Sequence, residues 1–532
     1  MAEEPLAPFA TRHAVHGMVC SVDHLASEAG VAALRAGGSA ADAAVATSAY
    51  LAVTTQHMCG MGGDLFAVVH PGRGAPAVLN ASGRAGRGAD PDRLLAEGAT
   101  TMPFRGDVRS VPVPGCVDGW LALHERFGRL PLADVLAPAT DAAEHGFPAS
   151  PTLAQAVGLV AALPGADDYT APGEVRAGTV IRRPGVARAL RAITEGGRAA
   201  WYEGEFGEGL LELGRRPDGT AEYAPEDLAE PGADWVDPLG LRAFGHDLWT
   251  VPPNSQGYLT LAAAWVAEGL PLPDDPDDPL WAHLLVEAAR HVGRDRIDVL
   301  HEHADGARLL DLDDLARRRT AIDLDRAAPL GGSYRAGGTI HLATVDADRM
   351  GVSLIQSNAA GWGAHLVVPG VRVFLQNRGL GFSLEPGHPA RYGPGRRPPH
   401  TLAPALVTTP DGDLHTVLGT MGGDSQPHVL LQLVARTLQA GQHPGRAVAA
   451  GRFALAGPGG FTTWDARGDV EVQVEGHAAP GWLEGLAVRG HRTAAVPAWG
   501  HGFGHAHLIT VEDGRVAGAS DPRARTGSAS GW

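Results

Sequence analysis

Apolar and polar positions alternate through residues 339–346, Thr-Ile-His-Leu-Ala-Thr-Val-Asp, directly after Gly337-Gly338. A period of two predicts a strand. A second run at 351–358, Gly-Val-Ser-Leu-Ile-Gln-Ser-Asn, predicts its partner in a hairpin. Near the start, residues 18–22 predict a short strand. Residues 25–35 predict a helix stopped by Gly37-Gly38. Ser39 is a good N-cap for a second helix over 40–51, whose alanines suit close packing on a sheet. Residues 65–70 predict another strand, and Pro114-Gly115 a turn into a helix. Residues 130–250 predict helices with loops, with the Pro/Asp-rich stretch 216–238 exposed. A helix is expected around 283–290, and the polar, Arg/Asp-rich stretch 304–336 predicts a mobile tail.

Composition narrows the chemistry. The chain has 532 residues, 44% of them hydrophobic, which is enough for a substantial core and several domains. Its 72 glycines and 40 prolines follow no repeat period, so the chain is globular and rich in loops. A formal charge of −17 with no basic patch disfavours a nucleic-acid partner. All 43 basic residues are arginine, which excludes a Schiff-base lysine and a phosphate-loop lysine. Cys20, Cys59 and Cys116 are too few for a disulfide framework. No leader pattern and no run of about 18 apolar residues is present, so the expectation is a soluble, cytoplasmic protein without a membrane partner. The histidines at 301 and 303 and at 501, 505 and 507 match no zinc spacing, so neither metal nor cofactor is expected.

An internal threonine after Gly-Gly, opening a strand, has two explanations. One is an ordinary strand entered through a flexible loop. The other is a self-cleaving nucleophile, in which the glycines let the backbone twist until the hydroxyl reaches the preceding carbonyl. Cutting Gly338–Thr339 would leave Thr339 with a free α-amine, which titrates near pH 8, roughly, and can take the hydroxyl's proton. The surroundings favour the second. Residues 337–346 resemble the start of the small subunit of the γ-glutamyltranspeptidase family. So do residues 351–358, Thr420-Met421-Gly422-Gly423-Asp424 and Gly518-Ala519-Ser520-Asp521-Pro522-Arg523. The resemblance extends upstream through most of the chain.

That resemblance implies an α+β fold, the four-layer αββα sandwich of N-terminal nucleophile hydrolases. It implies a helix-rich large subunit over 1–338 and a small subunit over 339–532, a self-cleaved heterodimer that could dimerise further. It makes Thr339 the nucleophile and base, and Ser357 the hydroxyl that orients it. It makes Gly422 and Gly423 the oxyanion pair. Gly60-Met61-Gly62-Gly63 would pack beneath the site. His400-Thr401 falls where transpeptidases contact the substrate carboxylate, and Asn377 and Asp424 fall among further substrate contacts.

The chain also departs from that family. Its transpeptidases are commonly exported in bacteria. The arginine that clamps their substrate carboxylate is not matched, leaving Arg84 as the substitute and Arg87 as a surface residue. Their asparagine beside the amine falls on Ala359, and their glutamine and aspartate fall on Arg378 and Gly381. An aspartate lost and an arginine gained predict a cationic wall, favouring a substrate with a carboxylate and no facing amine. The Gln-Ser-Asn and Gln-Asn-Arg-Gly variants resemble the branch with glutaryl-cephalosporin acylase-like proteins and oxamate amidohydrolases. Three alternatives remain open: a true γ-glutamyltransferase, a C–C bond hydrolase of antibiotic biosynthesis, and an unprocessed binding protein.

Overall fold

The computed structural model describes residues 11–331, 337–457 and 468–532. Two seven-stranded antiparallel sheets lie face to face. In the first the order is Arg12–Ala14, Arg515–Ser520, Ala506–Glu512, Leu414–Thr420, Ala405–Thr408, His246–Thr250, Leu239–Ala243. In the second it is Ser528–Gly531, Met18–Ser21, Gly338–Val345, Met350–Ala359, Asp64–Pro71, Ala77–Ala81, Asp234–Val236. Phe66, Val68, Ala343, Ile355, Leu406, Val417 and Ile509 fill the space between them. Helices cover both outer faces. Ala40–Thr54, Cys116–Phe127, Leu132–His145 and Pro184–Tyr202 share a core with the second sheet. Tyr258–Glu268, Pro279–Gly293 and Gln426–Val434 do the same for the first. This is the four-layer αββα sandwich expected from sequence.

The elements around the hairpin form for local reasons. Ser39 caps Ala40–Thr54 in a capping box with Asp42, and nearly every residue of that alanine-rich helix is buried. The hairpin turn is tied to the same helix end. Asp346 accepts the N–H groups of Asp348 and Met350 with one oxygen and that of Ala40 with the other.

Two expectations fail. Residues 234–250 are not helix and loop but three strands, Asp234–Val236 and Leu239–Ala243 at the edges of the two sheets and His246–Thr250 beside the latter. They close one end of both sheets, where most of their side chains stay half exposed, so their alternating burial is weak. Within 216–238, Glu222 and Tyr223 are buried. Nor is the described part of 304–336 a mobile tail. It holds the helices Gly306–Leu309 and Leu312–Thr320. Buried Arg290 donates to the carbonyls of Ala328 and Leu330 at 2.8 and 2.7 Å, and Glu287 accepts the Ala328 N–H at 3.0 Å. The chain is therefore fastened up to Leu330; 332–336 lie outside the described residues.

Candidate active site

Side-chain alternation decides what the hairpin aims at the space between the sheets. Ala343 and Val345 lie in the inter-sheet core, so His341 and Thr339 share their face; Ile355 does the same for Ser353 and Ser357. The register slips between Gly338 and Ile340, which takes Thr339 out of the ladder as a bulge opposite the Ser357 end of its partner. Thr339 is 1% exposed.

Three oxygens meet there. The Thr339 hydroxyl donates to the Gly338 carbonyl at 2.8 Å, the bond immediately before it. The Ser357 hydroxyl reaches the same carbonyl at 2.8 Å and Thr339 Oγ1 at 3.1 Å. Behind Ser357 stands Arg378, only 2% exposed, with three nitrogens on three partners. Nη2 donates to Ser357 Oγ at 3.0 Å, Nη1 to Thr401 Oγ1 at 3.0 Å and Nε to Asp64 Oδ2 at 2.8 Å. Asp64 faces Ser357 across the neighbouring strand.

His400 completes this layer. Its Nδ1 accepts the Leu402 N–H at 3.2 Å, so Nε2 carries the proton that goes to Asp64 Oδ2 at 2.9 Å. Burial, aided by the Arg378 charge, pushes the imidazole down to about 4, and it is neutral at pH 7. Burial alone would raise the Asp64 carboxyl; Arg378 and His400 together bring it below the usual carboxylate value.

The opposite sheet supplies the next side. Strand Leu414–Thr420 runs past the hairpin, and Gly419 has no room for a Cβ because the His341 ring would lie 2.2 Å from it. The chain then turns through Gly422 (φ 143°) and Gly423 (φ 59°), conformations suited to glycine. Their N–H groups donate to no backbone acceptor among the described residues. Gln256 ties this turn to the Arg378 layer, donating to the carbonyls of Gly423 at 3.0 Å and Thr401 at 2.9 Å. Beneath, the Gly60–Gly63 segment lies against the hairpin. A Cβ on Gly63 would sit 2.2 Å from the Ser357 carbonyl oxygen.

A nucleophile-sized hydroxyl beside a carbonyl, a polarising hydroxyl and a glycine turn with unspent N–H groups is an arrangement suited to acyl transfer. The sequence profile of the γ-glutamyltranspeptidase family matches residues 26–532. The chain belongs to that family. An oxamate amidohydrolase proenzyme from Klebsiella pneumoniae is 33% identical over 97% of this chain and 98% of its own length. A glutathione hydrolase-like YwrD proenzyme from Bacillus subtilis is 34% identical, over 95% and 97%. The crystal structure of a cephalosporin acylase from Bacillus halodurans superposes with a TM-score of 0.88 at 32% identity, covering 100% of this chain and 99% of that one. This γ-glutamyltranspeptidase-family chain is accordingly a hydrolase of the αββα type.

The geometry revises the expected cationic wall. Arg378 is answered by Asp64, and His400 is neutral with its N–H spent, so the set carries no net charge at pH 7. Arg84 does not stand free as a carboxylate clamp either; it pairs with Asp234 at 3.2 Å and with Glu302. Arg87 pairs with Asp227 and Glu230. Asn377 spends its amide on the Ala360 N–H and the Phe104 carbonyl. Asp424 pairs with Arg296 at 3.0 Å. Asp64 and Gln256 escaped the sequence reading. An acid opening the apolar run Leu65–Val69 is the available signal for Asp64, since such a carboxylate needs a buried partner. Cys116 begins its helix fully buried, with its thiol pushed well above the usual value by burial, and has no reactive character.

A consequence follows for acid stability. The folded protein holds His400 and His507 neutral down to about 4, and His57 and His428 down to about 3, all through burial first. The unfolded chain takes those protons below about pH 6.5. Stability is therefore complete above about 6.5 and is lost as pH falls toward 4. His400 alone accounts for about 2 kcal/mol at pH 5. Thermal melts should show a clear fall in midpoint from pH 7.5 to 5; an unchanged midpoint would mean these rings are protonated in the fold.

Proposed function

We propose that this protein cleaves its own Gly338–Thr339 bond and then hydrolyses an amide of a small carboxylate-bearing molecule through an acyl ester on Thr339. The observation that carries this reading is the meeting of Thr339 Oγ1, Ser357 Oγ and the Gly338 carbonyl within 2.8–3.1 Å. In self-cleavage, Thr339 Oγ adds to the Gly338 carbonyl carbon, its proton passes to the Thr339 nitrogen, and the C–N bond breaks. Water then hydrolyses the ester, leaving residues 1–338 and 339–532 as two associated subunits.

In turnover the freed α-amine of Thr339 takes the hydroxyl proton as Oγ attacks the substrate carbonyl. The N–H groups of Gly422 and Gly423 receive the oxyanion. The proton is passed to the departing amine, and water releases the acid.

The substrate is read from what the layer around Thr339 does not offer. Gly381 brings no carboxylate, Asp64 is buried and doubly bound, and Asp424 is paired with Arg296. An α-ammonium would find no open counter-charge there. Among small amides, those lacking that amine fit, and the relatives named for oxamate and cephalosporin substrates point the same way. For glutaryl and γ-glutamyl anilides, which differ only by the amine, we expect kcat/KM to favour glutaryl. A charge-assisted bond not formed is worth about 1.5–3 kcal/mol, or roughly one to two decades. Oxamate belongs in the same panel. A preference for the γ-glutamyl anilide would overturn this reading of the pocket and restore a γ-glutamyl donor.

A further inference from the structure

The Ser357 hydroxyl has one proton and two lone pairs. Arg378 Nη2 donates to its oxygen at 3.0 Å and the Ala359 N–H at 2.8 Å. Both lone pairs are then taken. Ser357 cannot also accept from Thr339, so its proton must point at the scissile peptide, where Gly338 O lies at 2.8 Å and Thr339 Oγ1 at 3.1 Å. The Thr339 proton is left to the same carbonyl.

Arg378 can hold this direction because it cannot turn. Its three nitrogens are fixed by Asp64, Thr401 and Ser357, and Asp64 is fixed in turn by His400. The guanidinium is buried, so no water competes for Ser357. A hydroxyl that accepts from a cation is also a stronger donor, because hydrogen bonds in series polarise one another.

From this geometry we infer that Arg378 is a positioning residue for self-cleavage, acting through Ser357, with Asp64 as its counter-charge. It rests on the reading that Gly338–Thr339 is the bond cut. As Thr339 Oγ bonds to the Gly338 carbon, negative charge collects on Gly338 O, and Ser357 meets it with a proton already aimed there. Ser357 keeps its proton throughout; the Thr339 proton goes to the nitrogen that leaves. The oxyanion of self-cleavage is thus met by Ser357, whereas that of turnover is met by Gly422 and Gly423.

A double-mutant cycle on the self-cleavage rate tests the inference, followed by intact mass over time after purification. Arg378→Gln and Ser357→Ala should each slow cleavage, by roughly tenfold to a hundredfold. The double variant should be no slower than Ser357→Ala alone, because Arg378 acts only through that hydroxyl. Arg378→Lys, which keeps the charge and one donor, should recover part of the loss. Arg378→Gln leaves Asp64 buried without its cation, so Asp64→Asn/Arg378→Gln, a neutral amide pair, serves if the single variant does not fold. It should show the same slow cleavage. Additive losses, or wild-type cleavage in a folded Arg378→Gln or in the neutral pair, would overturn the role of Arg378 while leaving the cleavage site standing. A wild-type chain that never cuts would instead overturn the reading beneath it.

Discussion

Thr339→Ala should leave the chain in one piece and reduce turnover by on the order of 10³-fold or more. In the proposed mechanism the hydroxyl is the attacking group in both steps, and without the cut the α-amine that would serve as base stays locked in a peptide bond. The fold should survive, because among the described residues the Thr339 side chain makes two hydrogen bonds, to Gly338 O and Ser357, worth about 1 kcal/mol each. Thr339→Ser should still be cut, since it supplies the same hydroxyl. SDS gels and activity on the substrate panel check all of these. A Thr339→Ala protein that is cut between 338 and 339 would remove Thr339 from the chemistry.

Gly423→Val should lower kcat by roughly 10²-fold or more while leaving self-cleavage nearly intact. Gly423 sits at φ 59°, where a β-branched residue is strained, and its neighbour Gly422 sits at φ 143° with Ser425 Oγ only 2.4 Å from where a Cβ would be. A side chain there shifts the peptide planes and takes the N–H groups away from the substrate oxyanion. In the proposed mechanism self-cleavage is served by Ser357 on the other sheet, so it should be spared. Rates of turnover per cut molecule, beside the cut fraction, separate the two. Near-normal turnover in a folded variant would place the oxyanion donors elsewhere.

How much of this was legible in the sequence depended on range. The hairpin, the capped helix after Ser39 and the glycine turn at 422–423 are set by periodicity, a cap and backbone freedom within a few residues, and each stands where expected. Thr339 and Ser357 are 18 residues apart across one hairpin, so their meeting follows from pairing. Asp64 and Arg378 are 314 residues apart, and no local pattern announces that a buried acid and a buried arginine neutralise each other. The charge of the wall therefore came out wrong when Arg378 was read alone. The same holds for Arg84, whose partners Asp234 and Glu302 come from distant segments. The stretch 304–336 reads as too polar to be held, because the charges that fasten Ala328 and Leu330, Glu287 and Arg290, belong to another helix.

The most direct test of the central claim is the intact mass of the purified wild-type protein together with the N-terminal sequence of what it contains. Two fragments are expected, residues 1–338 and 339–532, the smaller beginning Thr-Ile-His. A protein that remains a single full-length chain and still turns over substrate would contradict the account.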